Sequence, residues 1–304
     1  MRENELPVLK GGHRKSFLFK FFFFSIVSID YGDFLRRLDA VFNEPPPNSG
    51  QRSFAPIRPL TEYINDYEVF NPDQAEVAEQ VGEIQVDQPR ISIIPFHPAD
   101  RKVPLVAVDT SVAMLGETED GVVAAFKGAV VYANIDRKPE IFRCTCYFNE
   151  GNRAIYRELR RILGVTPGNI PTCSLDRLPY RIMNLIERII QRYACTQIND
   201  GIVLWDGSLT RTKETTIDIY RGTFRLAQEH GNHIVAISKK SRLRLPTGER
   251  ITFLLDSRRC ACLAEIHDYL PDNIKRDLLG RVHVVKFTPN GFTFRVDVVP
   301  LHSN

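Results

Sequence analysis

Two short segments of the sequence place an aspartate directly after a run of apolar residues. Val106–Val108 precede Asp109, and Ile202–Trp205 precede Asp206. Such a run predicts a buried strand, so each aspartate is expected at a strand's C-terminal end. If the two strands are neighbours in one sheet, their carboxylates repel each other unless a cation lies between them. This pattern predicts a divalent metal ion and phosphate chemistry.

A third acid is expected from the helix that precedes Asp206. Apolar residues within 178–193 recur at i, i+3, i+4, i+7 and i+8, which predicts an amphipathic helix. Glu187 is the only acidic residue between Asp176 and Asp200, and it flanks the apolar stripe. We interpret it as the third ligand, a solvated border position being the alternative. Three carboxylates would bind Mn²⁺ or Mg²⁺, with two ions expected. For the two strand-end aspartates, capping of the following turn is the alternative.

The elements that must position these acids follow a recognisable order. The predicted strands are 103–109, 121–132, 140–147, 202–205 and 233–238, with a terminal hairpin at 282–287 and 292–299. The predicted helices are 152–163, 178–193 and 213–229. Three antiparallel strands, then helix, strand, helix and strand, is the order of the ribonuclease-H-like α/β fold. We therefore predict a mixed sheet flanked by helices, with an N-terminal arm.

Charge is unevenly distributed along a chain whose net charge is +3. Residues 61–100 hold nine Asp or Glu and one Arg, whereas residues 101–304 hold 30 Lys or Arg and 22 Asp or Glu. The predicted acids thus lie in a basic segment, which suits a polyanion such as DNA. An ordinary solvated surface is the alternative. We divide the chain into an N-terminal segment (1–60), partly loop, an acidic arm or insertion (61–100) and the main domain (101–304).

Four basic residues are candidates for binding DNA phosphates. Arg157 and Arg161 are i, i+4 neighbours on a predicted Arg-rich helix, and Lys239 and Lys240 follow the strand at 233–238. For the helix, a solvated face is the alternative. The aromatic residues that could stack on bases are assigned by their spacing to the core: Tyr156, Trp205 and Tyr220.

These motifs resemble those of the NurA nuclease family. The resemblance covers roughly residues 100–300 and rests on V-A-V-D-T-S, a helix with one Glu, L-W-D-G-S-L, A-I-S-K-K-S and F-R-V-D. It implies a manganese-dependent 5′-to-3′ DNA exonuclease with endonuclease action on single strands, in DNA end processing and repair. It also implies a homodimer and a HerA-type DNA-translocating ATPase as partner. By position, it makes Asp109, Glu187 and Asp206 the metal ligands and Lys239 the family's lysine.

Two other hypotheses stay open. The G-Y-P and A-H segments common in the family are not found in this sequence, which fits a NurA-like module that binds DNA or docks an ATPase without catalysis. An actin-like or sugar-kinase ATPase would share the core, but it would need a Gly-rich phosphate loop that Asp109–Val112 match poorly.

Cysteine usage and the N-terminal segment bear on location. The six cysteines contain no C-x-x-C pair, which indicates reduced thiols and a cytoplasmic protein. Phe17–Ile29 resembles a signal peptide, but it contains Lys20, lacks a small-x-small cleavage site and is too short to span a bilayer. We expect a buried strand, a start codon assigned too far upstream, or a role at a homodimer interface, and no membrane association.

Overall fold

The computed structural model describes residues 91–99, 101–119, 121–150, 155–165, 173–211 and 216–300. The predictions for the N-terminal segment, including Phe17–Ile29, lie outside these residues, and so does most of the acidic segment.

The described residues form nine strands and four α-helices. The strands are β1 (Ile93–Pro95), β2 (Leu105–Thr118), β3 (Gly121–Ala133), β4 (Glu140–Asn149), β5 (Ile202–Asp206), β6 (His233–Ser238), β7 (Cys262–Glu265), β8 (Arg281–Lys286) and β9 (Thr293–Val298). The helices are α1 (Ile155–Ile162), α2 (Leu178–Ala194), α3 (Ile217–Glu229) and α4 (Asp272–Lys275), with 3-10 helices at Ile251–Leu255 and His267–Tyr269.

All nine strands belong to one mixed sheet in the order β1-β7-β8-β9-β6-β5-β2-β3-β4. Strands β2, β3 and β4 form an antiparallel meander, and β5 joins β2 in parallel before β6 joins β5 in parallel. The five strands β4-β3-β2-β5-β6 therefore have the order and directions of a ribonuclease-H-like sheet. The predicted fold class, a mixed sheet flanked by helices, is confirmed.

Helix α2 packs its apolar stripe against the central strands. Ile182, Leu185 and Ile189 are buried in one core with Val108 and Trp205 of the sheet. Burying each such aliphatic side chain stabilises the fold by about 1.5–3 kcal/mol. The helix begins at Leu178, where the periodicity predicts, and ends at Ala194. Pro179 lies in the first turn, where a proline does not interrupt a helix.

The C-terminal end of α2 is tied to the sheet by a polar cluster around Glu140. This carboxylate accepts hydrogen bonds from the hydroxyls of Tyr132 (2.6 Å) and Tyr193 (3.0 Å) and from Arg137 (2.7 Å). Burial, together with the bond to Glu140, raises the pKa of Tyr193 to about 12. The cluster lies where β3 ends and β4 begins. It therefore holds α2 at the end of the strands that lies away from the two aspartates.

Two features of the sheet differ from the sequence prediction. The strand predicted to end at Asp109 continues to Thr118, because residues 110–118 pair with β3 in an extended hairpin. Strands β1 and β7 have only three and four residues and were not predicted, since strands this short carry little periodicity. Strand β1 lies within the segment 61–100 and pairs with β7.

Candidate functional site

The pairing of β2 with β5 places the two predicted aspartates next to each other. The parallel register runs from Leu105↔Ile202 to Val108↔Trp205, and Asp109 and Asp206 are the next residue on each strand. Neighbouring strands lie about 4.8 Å apart. Both aspartates are exposed. The structure thus brings the two carboxylates to adjacent strands at the edge where β5 ends.

The sheet divides at this position. Strand β5 ends at Asp206, whereas β2 continues for nine residues beyond Asp109, paired with β3. Beyond Asp109, β2 is therefore paired only with β3. In open α/β sheets, ligands bind at the carboxyl ends of the strands, where neighbouring connections separate.

The aspartates lie on the sheet face that does not contact α2. Val108 and Trp205 point into the core shared with α2, and side chains alternate between faces along a strand. Asp109 and Asp206 therefore belong to the opposite face, which we call the acid face.

The acid face also carries two basic residues that sequence reasoning missed. Lys127 of β3 pairs with Ser111 on one side and with Arg143 of β4 on the other. Both basic side chains are exposed, and Ser111 is two residues beyond Asp109 on the same face. Like charges on directly opposed residues destabilise a sheet unless an anion lies between them. Aligning β3 with β4 by their alternating patterns would have revealed this pair.

Lys239 lies beside the acids, as its position after β6 predicts. Its Nζ is 3.5 Å from Asp206 Oδ2, and both groups are largely exposed to solvent. The other oxygen, Asp206 Oδ1, accepts a hydrogen bond from the backbone N–H of Gly207 at 3.1 Å. Gly207 has φ +96°, a backbone conformation that favours glycine at this turn. Lys240 is exposed next to Lys239.

Glu187 is buried on α2, with 8% of its surface exposed. Its carboxylate lies 3.6 Å from Arg188, whose guanidinium stacks over the rings of Trp205 and Tyr220. Among the described residues, no group of three or more His, Cys, Asp or Glu side chains is arranged to hold a metal ion. The structure brings Asp109 and Asp206 together but does not place Glu187 in a metal-binding group with them. Its role as third ligand stays a prediction.

The other candidate residues lie on α1 or in the core. Arg157 and Arg161 are exposed on α1, where Arg161 forms an ion pair with Glu158. Their contact with DNA stays a prediction. The three aromatic residues that the sequence assigned to the core are buried, which confirms that assignment: Tyr156, Trp205 and Tyr220.

A buried ion pair fixes the loop that follows Asp206. Asp297 and Arg295, both 1% exposed, form a two-point contact at 2.8 and 2.9 Å. Asp297 Oδ2 also accepts the backbone N–H of Leu209 at 2.9 Å. The carbonyl of Leu209 in turn accepts the N–H of Leu279 at 2.8 Å. The F-R-V-D motif therefore holds the D-G-S-L motif in place, a role that sequence reasoning did not assign to Asp297.

No protein-family model matches the chain, and no curated protein matches it. The fold is similar to the crystal structure of the NurA nuclease from Sulfolobus solfataricus, with a TM-score of 0.43 and 11% identity over 80% of this chain and 79% of that chain. It is also similar to Ciona intestinalis endonuclease V in complex with a 24mer DNA containing an inosine followed by a ribo-adenosine, with a TM-score of 0.30 and 12% identity over 78% and 83%.

Both TM-scores lie below 0.5, so neither similarity establishes an activity for this chain. The fold class rests on the strand order, and membership of the NurA family stays a prediction. As to membranes, the helices within the described ranges are all too short or too polar to cross one.

Replacing Asp297 tests the contact that holds the loop. We expect Asp297→Asn to lower the free energy of unfolding by about 3–5 kcal/mol, because Arg295 is left buried with an uncompensated charge. Urea denaturation measures this change. The matched control is Asp218→Asn, which removes an exposed pair with Arg221 on α3 and should cost less than about 1 kcal/mol. Equal losses in the two variants would contradict the role of Asp297.

Proposed function

We propose that this chain is a metal-dependent DNA nuclease that hydrolyses phosphodiester bonds. The observation that carries the proposal is the adjacency of Asp109 and Asp206 where β5 ends and β2 continues. In the finer form that the NurA resemblance suggests, the activity is a 5′-to-3′ exonuclease with single-strand endonuclease action in DNA end processing and repair.

The donor set fits a hard divalent cation. Carboxylate oxygens are the ligands that Mn²⁺ and Mg²⁺ prefer, and Mg²⁺ is commonly bound through one or two carboxylates together with water and substrate phosphates. Asp109 and Asp206 would hold the ion from the acid face. The NurA resemblance assigns Glu187 as a third ligand, although its helix α2 packs on the opposite face of the sheet. When bound, such an ion polarises the phosphodiester and acidifies the attacking water, and a second ion would stabilise the leaving oxygen.

The chain's own residues have three tasks in this proposal. Asp206 is oriented by the Gly207 N–H and by the loop that Asp297 holds. Lys239 neutralises the phosphate next to Asp206 once DNA displaces their mutual contact. Lys127 and Arg143 bind a further phosphate along the acid face, and that anion relieves their repulsion. DNA would thus follow the acid face from β4 towards β6.

A second candidate function is a NurA-like module that binds DNA or docks an ATPase without cleaving. The observation that favours it is the pairing of Glu187 with Arg188, a contact that occupies the proposed third ligand. In this case the basic residues of the acid face would bind DNA, and substitution of the aspartates would have no catalytic consequence.

The partners in the proposal follow from the resemblance. A HerA-type ATPase would deliver DNA to the acid face, and a second copy of the chain would complete a channel around it. Static light scattering across a concentration series tests the homodimer, and a mass that stays at that of one chain of 34.8 kDa would contradict it.

Asp206→Asn tests the acid pair. We expect this variant to lose metal-dependent cleavage of end-labelled linear and circular single-stranded DNA. Its DNA affinity should be unchanged or higher, because the substitution removes a negative charge next to the phosphates. The control is Asp218→Asn on α3, which should cleave like the parent. Cleavage that survives Asp206→Asn would contradict the nuclease site, and binding without cleavage in the parent itself would favour the non-catalytic module.

A comparison of two basic residues tests the proposed path of DNA. Lys239→Ala should weaken DNA binding and reduce the slope of log K against log salt by about one unit, because one phosphate contact is lost. Arg160→Ala on α1, where the guanidinium lies over the Tyr156 ring, should change both less. Fluorescence anisotropy over a salt series gives the slopes. Salt-independent binding, or a larger loss from Arg160→Ala, would contradict the proposed path of DNA.

A further inference from the structure

The hairpin that joins β8 to β9 exposes aromatic side chains to solvent. Phe287 is 45% exposed and Phe292 is 84% exposed, and both lie in the connection 287–292. Phe253, on the adjoining 3-10 helix, is 52% exposed. Seven large hydrophobic side chains are exposed in the described part of the chain, and the three aromatic ones among them are these phenylalanines. All three lie on two adjoining segments, and apolar patches left exposed mark binding surfaces.

The sheet register places this hairpin at the same edge as the acids. Strand β9 runs antiparallel to β6, with Arg295 opposite Ser238, so the start of β9 lies beside Lys239. Asp206 aligns with Ile237 of β6, and Ile237 aligns with Val296 of β9. Phe292 is four residues before Val296 and two strands from β5, which puts it on the order of 16 Å from Asp206. That distance corresponds to about five nucleotides of stacked strand.

The hairpin is held in a fixed position. Asp256 accepts a hydrogen bond from Thr293 Oγ1 at 2.7 Å through its side chain, and one from Lys286 Nζ at 2.9 Å through its backbone carbonyl. The rings of Phe287 and Phe294 lie 5.9 Å apart. Because both ends of the hairpin are anchored, Phe292 is presented without the entropy cost of ordering a loose loop.

Exposed basic residues lie on the segments next to the hairpin. Arg258 and Arg259 are exposed two and three residues after Asp256, and Lys239 and Lys240 are exposed where β6 ends. The carboxylate of Asp256 accepts the hydrogen bond from Thr293. Proteins that bind single-stranded nucleic acid combine this positive charge with aromatic faces on which unpaired bases stack. A duplex offers its bases only at its grooves, so exposed rings of this kind favour a single strand.

We propose that Phe292, supported by Phe287, is a stacking site for unpaired bases of single-stranded DNA about five nucleotides from the acid pair. The inference rests on the proposed function and specifies its substrate as a strand with unpaired bases. Arg258 and Arg259 bind the backbone on either side of the stacked base. The surface provides selectivity for unpaired over paired DNA, and the acid pair does not.

The test compares binding of a short oligothymidylate with binding of an abasic oligonucleotide of equal length. The full chain carrying Asp206→Asn is used for fluorescence anisotropy, so that the DNA stays intact. We expect the Asp206→Asn chain, the parent in this test, to bind the oligothymidylate roughly tenfold more tightly than the abasic strand. One stacked base provides a difference of this size. Phe292→Leu keeps an apolar side chain but should lose this preference, whereas Phe292→Tyr should keep it.

Two controls separate stacking from other roles. Ile94→Ala alters an exposed side chain on β1, three strands from β9 and outside the proposed path from β4 to β6, and should leave the preference unchanged. Light scattering of Phe292→Leu should give the parent's mass. A mass that falls with Phe292→Leu would show that the ring contacts a second copy of the chain, which overturns the proposal. An unchanged preference in Phe292→Leu overturns it as well.

Failure of this inference can be told apart from failure of the nuclease proposal. If the chain with Asp206 intact cleaves DNA but Phe292→Leu shows the parent's base preference, the stacking site is wrong and the nuclease stands. If the base preference depends on Phe292 but no metal supports cleavage, the stacking site stands and the nuclease is wrong.

Discussion

The structure depends on one pairing, the short parallel contact between β2 and β5. Four residue pairs hold the two strands in register, and the contact stops immediately before Asp109 and Asp206. A shift of one residue would turn every side chain on one strand to the other face, burying one aspartate in the α2 core. The apolar side chains of Val108 and Trp205 prevent this shift, because they belong to that core. The same burial that stabilises the sheet therefore fixes both carboxylates on the acid face.

The remaining elements maintain this arrangement from both sides. Helix α2 covers the apolar face, and the polar cluster at Glu140 holds its far end. On the other side, Asp297 fixes the turn after Asp206 through the Leu209 N–H. A buried ion pair is costly in desolvation and gives little net stability. Its value here is positional, since it couples β9 to the loop that follows Asp206. Strand β9 thus connects the aromatic hairpin with that loop.

Much of the fold could be predicted from the sequence because its elements have strong patterns. The 3.6-residue periodicity from Leu178, and the apolar runs at 202–205 and 233–238, match α2, β5 and β6 closely. The extension of β2 beyond Asp109 could not be predicted, since Thr110–Thr118 are stabilised by pairing with β3 and not by their own pattern. Short strands such as β1 depend in the same way on a partner distant in sequence.

The candidate site could be predicted only in part, again because contacts between segments distant in sequence leave no pattern of their own. Strand-end aspartates are visible in a sequence, but the partners of a helical glutamate are not, and Glu187 lies beside Arg188. Lys127, Arg143 and Phe292 carry no motif, and their position relative to the acids appears only once the strands are aligned. The sequence pattern thus identifies residues at the ends of strongly patterned elements, whereas cross-strand neighbours require the register.

The central claim is that Asp109 and Asp206 form one divalent cation site, and titration of the full chain with Mn²⁺, followed by electron paramagnetic resonance of the free ion, tests it most directly. The account predicts that the parent chain binds Mn²⁺ and that Asp109→Asn and Asp206→Asn each weaken this binding by at least about tenfold, because each removes one carboxylate ligand. Equal Mn²⁺ binding by the parent and both variants would contradict the claim, as would a parent chain that binds no Mn²⁺.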